Sequence, residues 1–130
     1  MPAPSVATPS VAALVAAHTA FLALLNAGAG PALCRIRSAA DVLLSEITLT
    51  DPAGTVNGTT GQLTLTPDGR DESANASGTA AYGELCDSDG NVHYAIPAQA
   101  GSTPVPGKLV VNTLTIVAGL PVEILSITIG

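Results

Sequence analysis

His18, His93, Cys34 and Cys86 are the residues of this chain with the chemistry to hold a metal or to act as nucleophiles. Neither histidine has a sequence-local metal partner, so each is expected to be structural. The cysteines match no zinc or redox spacing. They read either as small core residues or as a disulfide pair, and the redox compartment would decide between the two. Asp87-Ser88-Asp89-Gly90-Asn91 superficially has the composition of an acidic calcium loop. An EF-hand loop needs a Glu at its twelfth position, however, and residue 98 is Ala. Asp, Ser and Gly are also the ordinary turn formers, so a tight turn is expected there.

Glu46, Glu84 and Glu123 are isolated carboxylates on expected strands, with nothing to pair two of them as an acid–base couple. Gly-x-Ser-x-Gly, a phosphate loop and a dinucleotide fingerprint are all missing. The expectation is a protein that is not an enzyme, with no catalytic, cofactor-binding or metal residues. Asn57-Gly58-Thr59 and Asn75-Ala76-Ser77 match the glycosylation sequon, which matters only in a eukaryotic secretory pathway.

The elements that position these residues follow from composition and pattern. The chain has 130 residues, the size of one domain. Apolar residues are 47% of the chain, mostly Ala, Val, Leu and Ile, and aromatic residues are only 2% of it. Small and β-branched residues favour closely packed sheets, while the aromatic anchors of most binding pockets are scarce. Charged residues are 11%, against about a quarter in ordinary soluble domains. Mean hydropathy is +0.46, yet no run of about 20 apolar residues could span a bilayer. The excess apolarity is expected at a subunit interface. Net charge is −6, and Arg35, Arg37, Arg70 and Lys108 are too few for a phosphate-binding patch, so neither nucleic acid nor membrane is an expected partner.

Residues 1–30 are expected to form an extended arm and an apolar helix. Met1 to Pro9 carries three prolines. Ser10 is a good N-cap, and Val11, Leu14, Val15, His18, Leu22 and Leu25 follow one helical face. Asn26 and Gly28 are stop signals. The other face is nearly all Ala, including Ala13, Ala16, Ala20 and Ala23, where a water-facing helix would carry Glu and Lys. A secretory signal is disfavoured because no Lys or Arg precedes Arg35.

Residues 31–130 change to short strands with turn punctuation. Cys34 and Ile36 alternate with Arg35 and Arg37. Val42 to Thr50 is expected to turn Leu43, Ile47 and Leu49 to one side, followed by a turn at Asp51-Pro52-Ala53-Gly54. Further strands are expected at Gly61–Thr66, Gly78–Cys86, Asn91–Ile96, Lys108–Val117 and Pro121–Ile129. Pro97 to Gly107 reads as a long loop. Both sides of the last strand are apolar, so it is expected at the centre of the sheet or at a subunit contact. About seven or eight such strands predict an all-β fold, a single antiparallel, jelly-roll-like β-sandwich.

Three segments carry a family likeness. They are Gly78-Thr79-Ala80-Ala81-Tyr82-Gly83-Glu84-Leu85-Cys86-Asp87-Ser88-Asp89-Gly90-Asn91-Val92, then Leu109-Val110-Val111-Asn112-Thr113-Leu114-Thr115-Ile116-Val117-Ala118-Gly119, then Val122-Glu123-Ile124-Leu125-Ser126-Ile127-Thr128-Ile129. Their order resembles small virion structural proteins of tailed bacteriophages, in which an apolar helix precedes a β-sandwich. The likeness covers residues 78–129 and, loosely, 10–50. The proline-rich arm and the insertion from Pro97 to Gly107 depart from it. The resemblance implies a capsid cement or decoration protein, bridging major capsid subunits and assembled in the host cytoplasm.

The expected partners are the major capsid protein and copies of the chain itself, as a trimer. Val11, Leu14, Ala16, Ala20, Leu22, Ile127 and Ile129 are the expected interface residues. A tail or neck position would use the same features. A secreted adhesin or carbohydrate-binding module is the reading from another class, but it would need exposed aromatics, and only Phe21, Tyr82 and Tyr94 exist.

Overall fold

A computed structural model describes residues 7–130. The expected arm lies mostly outside the described residues. Helix α1 spans Val11–Leu25. Strands follow as β1 (Leu33–Arg37), β2 (Leu43–Val56), β3 (Leu63–Pro67), β4 (Gly78–Thr79), β5 (Tyr82–Cys86), β6 (Val92–Ala100), β7 (Lys108–Val111), β8 (Thr115–Ile116) and β9 (Ile124–Ile129). The chain is therefore mainly β with one helix, as its pattern predicts.

Seven strands hydrogen-bond into a closed barrel in the order β1-β2-β3-β9-β7-β6-β5, and β4 pairs with β8 in a separate ribbon. This corrects the jelly-roll-like sandwich. The physical reason lies in two long strands whose two ends pair with different neighbours. β2 pairs with β1 through Leu43–Thr48, then bends, and its Gly54–Val56 end pairs with β3. β6 pairs with β5 through Val92–Pro97, and its Ala98–Ala100 end pairs with β7. Strands that switch sheets through a bend make the corners that close two sheets into one barrel. Asp51-Pro52-Ala53-Gly54, expected as a turn between strands, is the bend inside β2. Gly54 is required there, since a Cβ would sit 2.1 Å from the Thr64 carbonyl oxygen.

Parallel pairing of β6 with β7 departs from the expected all-antiparallel sheet. A parallel connection must retrace the strand length, which normally takes a dozen residues or more. Only three residue pairs are formed here, so the chain retraces about 10 Å and residues 101–107 suffice. This crossover folds over the outside of the barrel. Gly107 N–H donates to Thr128 O at 2.8 Å, the Thr128 hydroxyl donates to Val105 O at 3.2 Å, and Val110 is buried beneath it.

The core lies inside the barrel and includes Leu25, Cys34, Ile36, Leu44, Ile47, Leu49, Leu63, Leu65, Leu85, Ile96, Leu109 and Ile127. One mouth is closed by α1. The other is plugged by the loops around β4 and β8, whose Ala74, Ala80, Ile116 and Val122 are buried. Asp71 pins that plug: it accepts from the buried Ser45 hydroxyl at 2.6 Å, and its backbone bridges to Val122. Beside the bulge opposite Ile36 and Arg37, Leu44 is the fully buried leucine, where Leu43 was expected. No helix among the described residues is long and apolar enough to cross a membrane.

Candidate functional site

Helix α1 begins where its sequence says it should. The Ser10 hydroxyl accepts from Ala13 N–H at 3.1 Å, satisfying one of the orphan donors of the first turn. At the other end, the Asn26 side chain reaches across to accept from Ala53 N–H at 3.0 Å, tying the helix terminus to the bend of β2. Leu25 is fully buried, and Leu14, Val15, His18, Phe21 and Leu22 are half-buried along the same side. His18 Nδ1 lies 2.6 Å from Gly61 O, and Phe21 packs on Tyr94 with ring centroids 5.3 Å apart. The predicted stripe, without Val11 and with Phe21 added, is thus the face that seats the helix on the barrel.

The opposite face is open. Ala12, Ala13, Ala16, Ala17, Ala20 and Ala23 are exposed, as are Val11 (43%) and Leu24 (50%). The helix has no acidic residue in its first turn and no basic residue in its last. Of the expected interface residues, Val11, Ala16 and Ala20 therefore lie on the free surface, and Leu14 and Leu22 face the barrel. Ile127 and Ile129 are a correction: both point into the barrel and are buried. The cause is a bulge between β7 and β9, where Val110 pairs with Ser126 but Val111 pairs with Ile124. Leu125 occupies the bulge and is turned outward, 44% exposed, which breaks the alternation with Ile127 and Ile129.

Many of the polar residues are spent on structure. Across β2, β1 and β5 the outer face carries a lattice in which Arg35 bonds Glu46 at 2.8 Å and Arg37 bonds Glu84. Arg37 also donates to Asp41 O at 3.0 Å, and the Tyr82 hydroxyl donates to the Asp41 carboxylate, which raises the Tyr82 pKa. Opposite charges on paired strands stabilise by about 0.2–1 kcal/mol each. The Asp87-Ser88-Asp89-Gly90 turn is closed from within. Asp87 accepts from Asp89 N–H and Asn91 N–H at 3.0 Å each, from Asn91 Nδ2 at 3.1 Å, and pairs with His93 Nε2 at 3.0 Å. The His93 bond foremost, with the Asn91 and Asp89 donors, holds the Asp87 carboxyl down at about 2. Oxygens engaged by four N–H groups are poor cation ligands, and the turn reading stands where a calcium loop was the alternative. His93 as the partner of Asp87 could not be seen from sequence spacing alone.

Cys34 and Cys86 are both free and buried. Leu33 pairs with Cys86 and Cys34 with Leu85, so the two thiols are one register step apart and face opposite sides of the sheet. Burial pushes the Cys34 thiol up to about 12, and burial likewise raises that of Cys86. Both are poor nucleophiles. An open depression of about 460 Å³ lies between Pro67, Gly69, Arg70, Glu123 and Ile124, and its Arg70 is bonded to Glu72 at 3.1 Å. Among the described residues, no group of three or more His, Cys, Asp or Glu side chains is placed to hold a metal ion.

The chain matches no protein-family model, no curated protein and no solved structure. The likeness to phage virion proteins accordingly rests on the strand-and-turn pattern alone. What the geometry offers chemically is a surface for contact, carried by the free side of α1.

Proposed function

We propose that this chain is a structural virion protein, a bacteriophage capsid cement or decoration subunit that bridges major capsid subunits. The observation that carries the reading is the free face of α1: fifteen helical residues without one charged side chain, seated on a closed barrel by one face and open on the other. On a protein that works alone, such a face leaves apolar surface in water at about 25 cal/mol per Å². Against a neighbour, Ala lets another backbone approach closely. The barrel suits a passive role, since Arg35, Arg37, Asp71, Asp87 and His93 are bonded across strands or within turns. A tail or neck subunit is the second reading and would use the same helix. A sugar-binding role is disfavoured because Phe21 and Tyr94 pack on one another in a tilted pair and Tyr82 is bonded to Asp41.

Co-sedimentation tests the proposal. The purified chain should pellet saturably with capsids of its own phage that lack it, and raise the temperature at which they release DNA. No pelleting above that of an unrelated acidic protein would overturn the cement role.

A further inference from the structure

The four basic and ten acidic residues of the chain all lie within 35–89 and 108–123. Two long segments, 1–34 and 90–107, therefore contain no Asp, Glu, Lys or Arg at all. They are far apart in sequence, yet the fold joins them. Helix α1 packs against the start of β6 through Phe21 and Tyr94, and β6 runs directly into the crossover 101–107, which drapes over β7 and β9. The result is a strip of surface without Asp, Glu, Lys or Arg, whose two ionisable side chains are His18, against Gly61 O, and His93, paired with Asp87. It exposes Leu24 (50%) from the helix, and Val92 (49%) and Tyr94 (40%) from the strand.

We infer that this strip, formed by α1, the outer side of β6 and the crossover, is the contact surface for a second copy of this chain. The inference rests on the proposed structural role and names the partner of its surface. Charge decides the occupant. The molecule carries −6, and Arg35, Arg37 and Arg70 are already bonded to carboxylates of their own chain. Two copies meeting through any charged face would set acid against acid, with few cations left to answer it, at a cost in affinity. The uncharged strip is the face on which identical acidic molecules can approach without that cost. A basic partner would instead be met by the acidic faces, which steer it in.

Size decides the extent. A fifteen-residue helix offers a footprint of about 22 Å by 10 Å, well short of the about 800 Å² per partner that a stable complex buries. The contact therefore has to extend from the helix onto β6 and the crossover.

Analytical ultracentrifugation of the purified chain over a concentration series tests this. Wild type should self-associate. Ala16→Glu on the helix and Val92→Lys on the strand should each raise the dissociation constant about tenfold or more, while Thr66→Lys, exposed on β3 away from the strip, should leave it unchanged. Both strip residues are exposed, so circular dichroism should match wild type; if one variant is misfolded, the other decides. Wild type remaining monomeric, or either folded strip variant associating as wild type does, would overturn the inference. Monomeric protein that still binds capsids would leave the cement role standing without this surface. Association through the strip with no capsid binding would remove the cement role alone.

Discussion

Asp87 shows how a residue with catalytic or metal-binding chemistry is absorbed by the fold. Its carboxylate closes the β5–β6 turn by accepting from Asp89 and Asn91 and by pairing with His93. Its pKa falls from 3.8 to about 2. A carboxyl whose folded pKa is depressed adds stability that is complete above its ordinary value and is lost as pH falls through the folded one. Thermal melts between pH 5 and pH 2 should therefore show wild type losing stability from about pH 4 downward. Asp87→Asn should melt lower at pH 7 and show a shallower fall over that window. Parallel pH profiles for the two proteins would contradict this role for Asp87. The cysteines make the same point, since opposite facing and burial leave them inert where sequence alone allowed a bridge.

At the scale of elements, the seating of α1 governs what surface it leaves free. Leu25 is the one fully buried residue of the helix. Leu25→Ala should cost about 2–5 kcal/mol in denaturant unfolding, a cavity effect at the mouth of the barrel. Gly61 guards the same contact, with φ of 77° and a would-be Cβ only 2.6 Å from that of Leu14. Gly61→Ala should loosen the helix by steric overlap and backbone strain, and hydrogen exchange should rise in residues 11–25 before it rises in β1. Unchanged stability in Leu25→Ala would mean that the helix is not part of the cooperative unit. The helix was legible in the sequence, cap and stripe alike, because its signals are local. So was the alternation of Cys34 and Ile36 with Arg35 and Arg37. The path of β2 through Pro52 was not legible, because a bend within a strand and a turn between strands use the same residues. The outward Leu125 was not legible either, since a bulge shifts alternation by one residue through pairing with a distant strand.

At the scale of the whole molecule, closure of the barrel depends on contacts that no local pattern encodes. β6 and β7 pair in parallel across a seven-residue crossover, and β3 meets β9 across most of the domain. Strand number and fold class follow from turn spacing, whereas strand order follows from which long strands bend to serve two neighbours. The charge distribution is the whole-molecule feature that the sequence does hold, as two uncharged segments, but their union into one strip needs the fold. The proposed role makes this chain a repeated structural component of a phage head. Its copy number in purified virions, measured by quantitative mass spectrometry against the major capsid protein, tests that role most directly. A number comparable to that of the major capsid protein, spread over a capsid-wide lattice, is the predicted result. A count matching a single ring, or no copies in the virion, would contradict it.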